Sequence, residues 1–416
     1  NKRKVLIMQG FQTFLAEAKN THMEHIEDNI LNGGVDGAKE SMNFLRALRD
    51  MLAGNGKSSV NVSVKWDGAP AIFAGTDPSD GKFFVAKKGI FNKNPKVYKT
   101  VAEIKLDTEG DLKDKLILAL ILLPELGIKG VIQGDFLFSK KDIKIEKFDS
   151  VNHITFHPNT IVYAVPSKSE LGYKISKSDI GIVWHTSYSG KSFEDMQATF
   201  GKNIADGLNS SSKVWSVDAE YKDQTGTATM TEKETKKVTE MLSKAGTLFQ
   251  KLDASSLNGI SDNDELLMRM KTFLNTKVRA GKRITNVSKT VDEMIKYFHE
   301  FFKSEAGKRK TDKGKSGVAD RKKEVMKYFS RTNKKNLEGI LNLMNAFVDI
   351  KLVLIKQMNK TAKLKTFLST TDGYQVTGAE GYVAIDKLGK NAVKLIDRME
   401  FSKANFSDKV LKGWQK

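Results

Sequence analysis

The sequence predicts an α+β fold in which a domain of mixed helices and strands is interrupted by a large all-α insertion. Short segments rich in β-branched and aromatic residues, bounded by Gly, Asp, Asn and Pro, recur through the first 190 residues. Apolar residues repeat at helical spacing from Thr231 onward, and strand-like sequence returns after residue 372. We therefore expect one domain from residues 1–190 and 371–416, and an insertion at 191–370.

The first domain is predicted to begin with two helices, at residues 10–18 and 38–52. Six strand-like segments are found at 60–65, 71–75, 82–87, 130–138, 160–165 and 181–185. Among them, the apolar run 116–123 spans eight residues, whereas a membrane helix needs roughly 20. We expect a buried helix there, ended by Pro124, and no association with a membrane.

The insertion is predicted to be a helical domain. Thr231 and Glu234 form a capping box at the start of its first helix, and the longest apolar stripe runs from Leu337 to Ile355. Such stripes usually face a core rather than a ligand. The basic segment 303–323 is expected to be a solvated loop, with contact to a phosphate backbone as the alternative. Strands at 373–377, 381–385 and 391–396 then complete the first domain.

Composition favours an intracellular protein with a polyanionic partner. The formal net charge is +19, which suits nucleic acid; acidic lipid and simple solubility are the alternatives. No cysteine is present, which excludes disulfides, cysteine zinc sites and thiol nucleophiles and suits a reducing compartment. The apolar run 5–8 is too short for a secretory signal, so a cytoplasmic location is expected.

The most informative segment is Lys65-Trp66-Asp67-Gly68, at the end of the predicted strand 60–65. By itself this tetrapeptide could be a polar hairpin turn. Three further segments follow it in order: Ile132-Gln133-Gly134-Asp135-Phe136, Glu380-Gly381-Tyr382-Val383 and Ala392-Val393-Lys394-Leu395. Together the four segments resemble nucleotidyltransferase motifs I, III, IV and V of the ATP-dependent polynucleotide ligases, including those of phages.

This resemblance implies an ATP-grasp-like ligase adenylation domain with antiparallel sheets. It implies that Lys65 becomes covalently bound to AMP, which passes to a 5′-phosphate and is then displaced by a 3′-hydroxyl. Asp135 and Glu380 are implied to hold Mg²⁺ or Mn²⁺, since these ions prefer hard oxygen ligands. Lys394 is implied as a second catalytic cation.

The chemistry of the nucleophile sets a condition on its surroundings. A lysine attacks phosphorus as a neutral amine, whereas an exposed lysine has a pKa near 10.4 and is protonated at neutral pH. We expect nearby cations and partial desolvation to lower the pKa of Lys65. Asp67 and Gly68 are expected to contact the nucleotide, because a glycine lets the backbone turn close to it.

Two further segments resemble nucleotide contacts of the family. Lys87-Lys88-Gly89 corresponds to a basic residue and glycine between motifs I and III, and either lysine could be the equivalent. Tyr163 is the best match to the aromatic motif after III. It is either an adenine-stacking residue or a plain core tyrosine.

Two histidine segments are weaker candidates. On a helix, His22 and His25 would share a face with Asp28 or Glu24, as a metal site or as a polar or substrate-contacting surface. Trp184-His185 is expected to end a strand, where a structural histidine is the default.

Three features depart from the family's pattern. Motif III has Asp135 where glutamate is usual, and aspartate is the shorter carboxylate. Ile396 stands where motif V carries a second lysine, with Lys387, Lys390 or Arg398 as candidate replacements. Residues 135 and 380 are 245 positions apart, far more than usual, and the helical insertion accounts for the difference.

The length of chain after Lys394 and the absence of cysteine select a branch of the family. Only 22 residues follow Lys394, too few for the oligonucleotide-binding barrel of DNA ligases and capping enzymes. We expect a monomeric ATP-dependent ligase of RNA, DNA or hybrid ends, whose insertion binds nucleic acid, in the cytoplasm or that of a virus-infected host. The absence of cysteine favours ATP over NAD⁺. The alternatives are a non-catalytic nucleic-acid-binding protein with a degenerate core and a nucleotidyltransferase with another acceptor.

Overall fold

The computed structural model describes residues 23–414, apart from 55–59, 93, 202, 221–228, 361–364, 372, 387–390, 403 and 405–406. It is a mixed α+β fold with three largely antiparallel sheets and a layer of helices, as predicted at this level. The predicted helix at 10–18 lies outside the described residues. None of the helices in the described part of the chain combines the length and apolarity needed to span a membrane.

Ten α-helices are described, in chain order α1 (Asn29–Leu52), α2 (Val101–Asp107), α3 (Gly110–Leu122), α4 (Glu170–Lys177), α5 (Glu232–Gln250), α6 (Ala254–Ser261), α7 (Asp264–Arg279), α8 (Val287–Gly307), α9 (Asp312–Met326) and α10 (Arg331–Asn359). The described strands are β1 (Glu24–His25), β2 (Val60–Lys65), β3 (Ala71–Thr76), β4 (Phe83–Ala86), β5 (Val97–Tyr98), β6 (Val131–Ser139), β7 (Lys144–Phe148), β8 (Val151–Phe156), β9 (Ile161–Pro166), β10 (Ile180–Ser189), β11 (Gln197–Phe200), β12 (Val214–Asp218), β13 (Lys365–Thr370), β14 (Gly373–Thr377), β15 (Gly381–Asp386) and β16 (Ala392–Leu395).

A four-stranded sheet joins segments from the two ends of the described chain, in the order β1-β16-β15-β2. In its register Gly381 lies opposite Lys65 and Lys394 opposite Val383. Because successive side chains in a strand point to opposite faces, this register sorts the residues into two sets. Val62, Tyr382 and Leu395 belong to the largest hydrophobic core, together with the helices. Lys65 and Lys394 therefore point to the other face.

Two larger sheets pack on one another behind that second face. A seven-stranded sheet has the order β11-β10-β6-β3-β4-β5, with β12 paired to β10. A five-stranded sheet has the order β14-β13-β9-β8-β7. Strand β6 contributes Phe136 to a core shared with α3, and Leu137 to the core between the two sheets. This alternation turns Asp135 toward the same side as Leu137.

The helical layer begins at Glu232 and ends at Asn359, so the all-helical region is shorter than the expected 191–370. Strands β11 and β12 precede it and pair with β10, and strand β13 follows it and pairs with β9. The capping box of Thr231 is present as predicted. The helices pack on α1 and on the four-stranded sheet in a single continuous core, because neither surface can bury its apolar face alone.

The basic segment 303–323 is helical, which corrects the expectation of a loop. It contains the end of α8 and most of α9, separated by a short turn. Thr311 caps α9 by accepting a hydrogen bond from the Gly314 amide. Val318 and Val325, seven residues apart on one face of α9, are both buried. Two apolar anchors thus suffice to hold a strongly charged helix against its neighbours.

Candidate active site

Lys65 ends strand β2 and pairs with a carboxylate from the far end of the chain. Its Nζ lies 2.5 Å from Oε2 of Glu380. The register that sets Gly381 opposite Lys65 places Glu380, the preceding residue, beside the lysine. The two side chains are 26% and 11% exposed, so the pair is shielded from water yet reachable. The structure thereby brings together the two segments that resemble motifs I and IV.

Asp135 on β6 is the second carboxylate at Lys65. A Cβ added to Gly68 would lie 2.5 Å from the Cβ of Asp135 and 3.0 Å from the carbonyl oxygen of Phe136. The loop after Lys65 therefore packs directly against β6, where the amide of Ala69 also donates to the Phe136 carbonyl over 2.9 Å. Gly68 is needed for this close approach of two protein segments, which differs from the predicted contact with a nucleotide.

Asp67 anchors this loop to the start of β9. Its carboxylate accepts hydrogen bonds from Asn159 Nδ2 at 2.7 Å, from the Thr160 amide at 2.6 Å and from the Ile161 amide at 2.8 Å. The residue is only 5% exposed. Because the carboxylate is engaged within the fold, Asp67 positions Lys65, and the prediction that it contacts a nucleotide is not supported by this geometry.

Tyr163 lies in the core behind the loop. It is 3% exposed, its ring centroid is 5.1 Å from that of Trp66, and it stacks on Phe156. Its hydroxyl accepts a hydrogen bond from the Asp67 amide over 2.8 Å. The geometry matches the core tyrosine rather than the adenine-stacking residue, since a buried ring between two aromatic side chains has no free face for a base.

The charges around Lys65 reverse the predicted direction of its pKa. Burial favours the neutral amine, but Glu380 and Asp135 outweigh burial and raise the pKa of Lys65. Burial raises the pKa of Asp135 to about 7 and that of Glu380 to about 7, although Lys65 acts in the opposite direction on both. The prediction of a lowered pKa for Lys65 is therefore wrong for the protein without a ligand.

Lys394 and Lys88 add positive charge to the same site. Burial, with the charge of Lys65 added, lowers the pKa of Lys394. Lys88 acts electrostatically on both Lys394 and Asp135. Lys87 instead lies 3.3 Å from Asp107 and holds its ammonium 5.7 Å from the centroid of the Tyr98 ring. Of the two lysines that the sequence left open, Lys88 is the one beside the carboxylates.

Two histidines, His185 and His25, lie beside the lysines and carboxylates of the site. His185 lies within β10, and its Nε2 is 3.8 Å from Oδ2 of Asp135. Burial, with the charge of Lys65 added, lowers its pKa to about 4, so the ring is neutral. Val183 is the residue opposite Asp135 in the pairing of β10 with β6, and His185 lies at the irregularity that follows it, so only the strand pairing reveals its proximity to Asp135.

His25 is in strand β1 rather than on the expected helix. It lies opposite Lys394 in a parallel pair, and its buried Nδ1 has no hydrogen-bond partner among the described residues. Burial lowers its pKa well below the ordinary value. His22, with which it was expected to share a face, lies outside the described residues.

A core residue occupies the position where the resemblance implies a second motif V lysine. Ile396 is 4% exposed. Arg398 contacts both carboxylate oxygens of Asp28 at 3.2 Å and lies 3.8 Å from Glu27, so its charge is engaged away from Lys65. The other two candidate replacements, at 387 and 390, lie outside the described residues.

Asp135 and Glu380 are compatible with a nucleotide-bound divalent cation. No group of three or more His, Cys, Asp or Glu side chains with metal-binding geometry occurs in the described ranges. A Mg²⁺ that accompanies a nucleotide is commonly held by one or two carboxylates plus phosphate oxygens and water, so two are enough. Burial raises the pKa of both carboxylates, and a bound cation would offset this effect by favouring their charged forms.

Comparisons with known proteins give a family and no function. A family model described as a family of unknown function (DUF6267) matches residues 20–410, which is most of the chain. Searches of curated proteins and of solved structures find no match.

Proposed function

This chain belongs to the DUF6267 family, and we propose that it is an ATP-dependent polynucleotide ligase with a ligase-type adenylation domain. The observation that carries the proposal is the convergence of Lys65, Glu380 and Asp135, with Lys394 on the same sheet face. These residues come from four segments whose order along the chain resembles that of the ligase motifs. An adenylation site requires that such residues also lie close together in space.

The first step is the transfer of AMP to Lys65. Nζ attacks the α-phosphorus of ATP, a P–N bond forms, and the P–O bond to pyrophosphate breaks. In the free protein the ion pair with Glu380 keeps the amine charged, so Lys65 becomes a nucleophile only when that pair is broken. Mg²⁺ or Mn²⁺, held by Asp135 and Glu380, would supply positive charge that competes for Glu380 and stabilises the departing pyrophosphate.

Lys394 and Lys88 would bind the phosphate oxygens of ATP. Each contributes a charge that the described carboxylates do not take up in an ion pair. Burial, and then the positive charge of Lys65, lower the pKa of Lys394, and a bound polyphosphate would favour its charged form. In the second step AMP passes to a 5′-phosphate, and in the third a 3′-hydroxyl displaces AMP to form the phosphodiester.

The alternative is a non-catalytic nucleic-acid-binding protein with a degenerate core. The observation that favours it is the loss of the second motif V lysine, with Ile396 in the core and Arg398 held by Asp28. A third candidate is a nucleotidyltransferase that adenylylates Lys65 but transfers AMP to another acceptor.

Covalent labelling separates these functions. The protein is incubated with ATP labelled at the α-phosphate and Mg²⁺, then denatured. We expect label on the wild type and none on Lys65→Ala. Lys99→Ala, which removes another paired lysine at 2.6 Å from Asp77, is expected to label normally. Absence of label on the wild type, or full label on Lys65→Ala, would contradict the proposal. End-joining assays with RNA, DNA and hybrid strands then identify the acceptor.

A further inference from the structure

A groove between helices α8 and α9 concentrates unpaired positive charge on the outer side of the helical layer. It has a volume of about 400 Å³ and is lined by Lys303 from α8 and by Lys315 and Lys322 from α9. Among the described residues none of these three lysines forms an ion pair, whereas the nearby Arg321 lies 3.2 Å from Glu265. Three uncompensated ammonium groups thus converge on one surface depression.

Helical spacing explains why the lysines meet there. Lys315, Val318 and Lys322 lie at positions i, i+3 and i+7 of α9, on one face. Phe302 and Lys303 present the corresponding face of α8. Phe302 and Val318 are 1% and 4% exposed and form the floor, so the lysine stems rest on apolar surface while their ammonium groups reach solvent.

The groove belongs to a strongly basic part of the chain. Residues 303–323 contain nine Lys and Arg against three Asp and Glu, about a third of the net charge of +19. The acidic residue of the lining, Glu300, lies 3.8 Å from Lys296 and is partly neutralised by it. These positive charges lie on two ordered helices rather than on a tail. Such a fixed arrangement favours a ligand with regularly repeated negative charge.

We propose that this groove binds the phosphate backbone of the polynucleotide, an inference that rests on the proposed function for the identity of the ligand. Residues 315 and 322 are seven positions apart, which on an α-helix is about 10 Å, so their ammonium groups can contact separate phosphates of one strand. Phe298 and Phe302 of α8 share the continuous core with Tyr382 of the four-stranded sheet, so the groove is held in a constant position relative to Lys65.

Salt-dependent binding of the full chain tests this. Fluorescence anisotropy is measured with labelled single-stranded RNA, single-stranded DNA and duplex DNA over a salt series. For Lys303→Ala/Lys315→Ala/Lys322→Ala, we expect the slope of log affinity against log salt to fall by about 2 for single strands and almost 3 for duplex, with affinity about tenfold lower or more at low salt. The matched control Lys236→Ala/Lys237→Ala/Lys244→Ala removes the same charge from exposed positions on α5 and should change the slope little.

Each outcome decides the proposal. Equal losses in both triple variants, or no loss in the groove variant, would overturn it. So would binding to anionic lipid vesicles that depends on the three lysines, without such dependence for oligonucleotides. Melting temperatures check folding, and Lys303→Ala/Lys315→Ala, which changes only exposed positions, serves if the triple variant does not fold.

Labelling of the wild type by ATP separates this proposal from the function on which it rests. If oligonucleotide binding depends on the three groove lysines but the wild type is not labelled, the groove proposal is supported and the ligase proposal is contradicted. Label together with an unchanged salt slope in the groove variant means the reverse.

Discussion

Two carboxylates, Asp135 and Glu380, keep Lys65 charged, although burial destabilises their own ionised forms. Burial raises the pKa of Asp135 and of Glu380 to about 7 each, and the proximity of Lys65 only partly offsets this. The site therefore stores an unfavourable interaction that a bound cation could relieve. Such concentrations of shifted pKa values are typical of functional sites, where affinity for a ligand is obtained at the expense of stability.

The pH dependence of stability follows from the sign of the Asp135 shift. Above its ordinary pKa of 3.8 the unfolded state loses the proton first, while the folded state retains it up to about pH 7, so stability falls across this window. Asp135→Asn removes the free-energy cost of burying an ionisable carboxyl group. We expect it to raise the free energy of unfolding by on the order of 1 kcal/mol at about pH 8, and to change it little at about pH 4.

Calorimetric melting of the wild type and Asp135→Asn at both pH values measures this difference. Asp107→Asn is the control, because hydrogen bonds from Lys96, Tyr98 and Lys87 lower the pKa of Asp107, so its loss should not stabilise at the higher pH. Added Mg²⁺ should reduce the difference in melting temperature between the wild type and Asp135→Asn at about pH 8. A variant that melts below the wild type at about pH 8 would show that the Asp135 carboxylate is not under this strain.

At the scale of elements, the loop between β2 and β3 connects Lys65, the proposed nucleophile, to the larger sheets. Asp67 fastens this loop to β9, and Gly68 lets it touch β6. The loop has no regular structure of its own, yet its backbone is held at both ends. Because the loop is held against both β9 and β6, it fixes the position of Lys65 relative to the two larger sheets.

Gly68→Ala tests the contact of this loop with β6. The new Cβ would meet the Cβ of Asp135 at 2.5 Å and backbone atoms of the same strand near 3 Å, so the loop must move away from the carboxylate. We expect labelling of Lys65 to fall by about tenfold or more, since small displacements of reacting groups are costly, and stability to fall by about 1–3 kcal/mol.

Gly207→Ala is the matched control, because nothing lies within 4 Å of the position its Cβ would take. It should label and melt like the wild type. Labelling assays and urea unfolding report both quantities. Normal labelling in Gly68→Ala would mean that the close approach of the loop to Asp135 is unimportant for the site.

At the scale of the molecule, a buried ion pair joins the helical layer to the strands of the site. Lys351 of α10 contacts both carboxylate oxygens of Glu27 at 2.8 Å, and the two side chains are 1% and 4% exposed. Arg398, just after β16, lies 3.8 Å from the same carboxylate. Removing one member of a buried pair leaves a charge without compensation, and this is much more costly than losing a surface pair.

We therefore expect Lys351→Ala to destabilise the protein by about 3–5 kcal/mol. Lys365→Ala, which breaks an exposed pair with Asp149 at 2.6 Å, should cost about 0–1 kcal/mol. The four tryptophans lie outside residues 232–359, so fluorescence reports the strands and far-ultraviolet circular dichroism reports mainly the helices. Both signals should shift together in Lys351→Ala; a shift confined to circular dichroism would show that the helical layer unfolds separately.

Much of the fold could be predicted because it depends on local patterns. Strands β2 and β14 and the start of α5 lie where alternation, turn residues and the capping box predict them. Strands β7 and β12 were missed because short, partly exposed strands show little alternation. The helix α9 was missed because its sequence is dominated by charge and carries only two buried valines.

The sequence by itself determined the composition of the candidate site: a lysine at a strand end, two candidate carboxylates and a further lysine, in a fixed order. Only the tertiary structure decided which of them meet, because the register of β2 and β15 is set by burial of Val62 and Tyr382 against helices far away in the chain. It also assigned Asp67, Gly68 and Tyr163 to the support of the site, and placed Lys88 and His185 beside the carboxylates. The direction of the Lys65 pKa depends on distances between charges and on their burial, and neither is written in a local pattern.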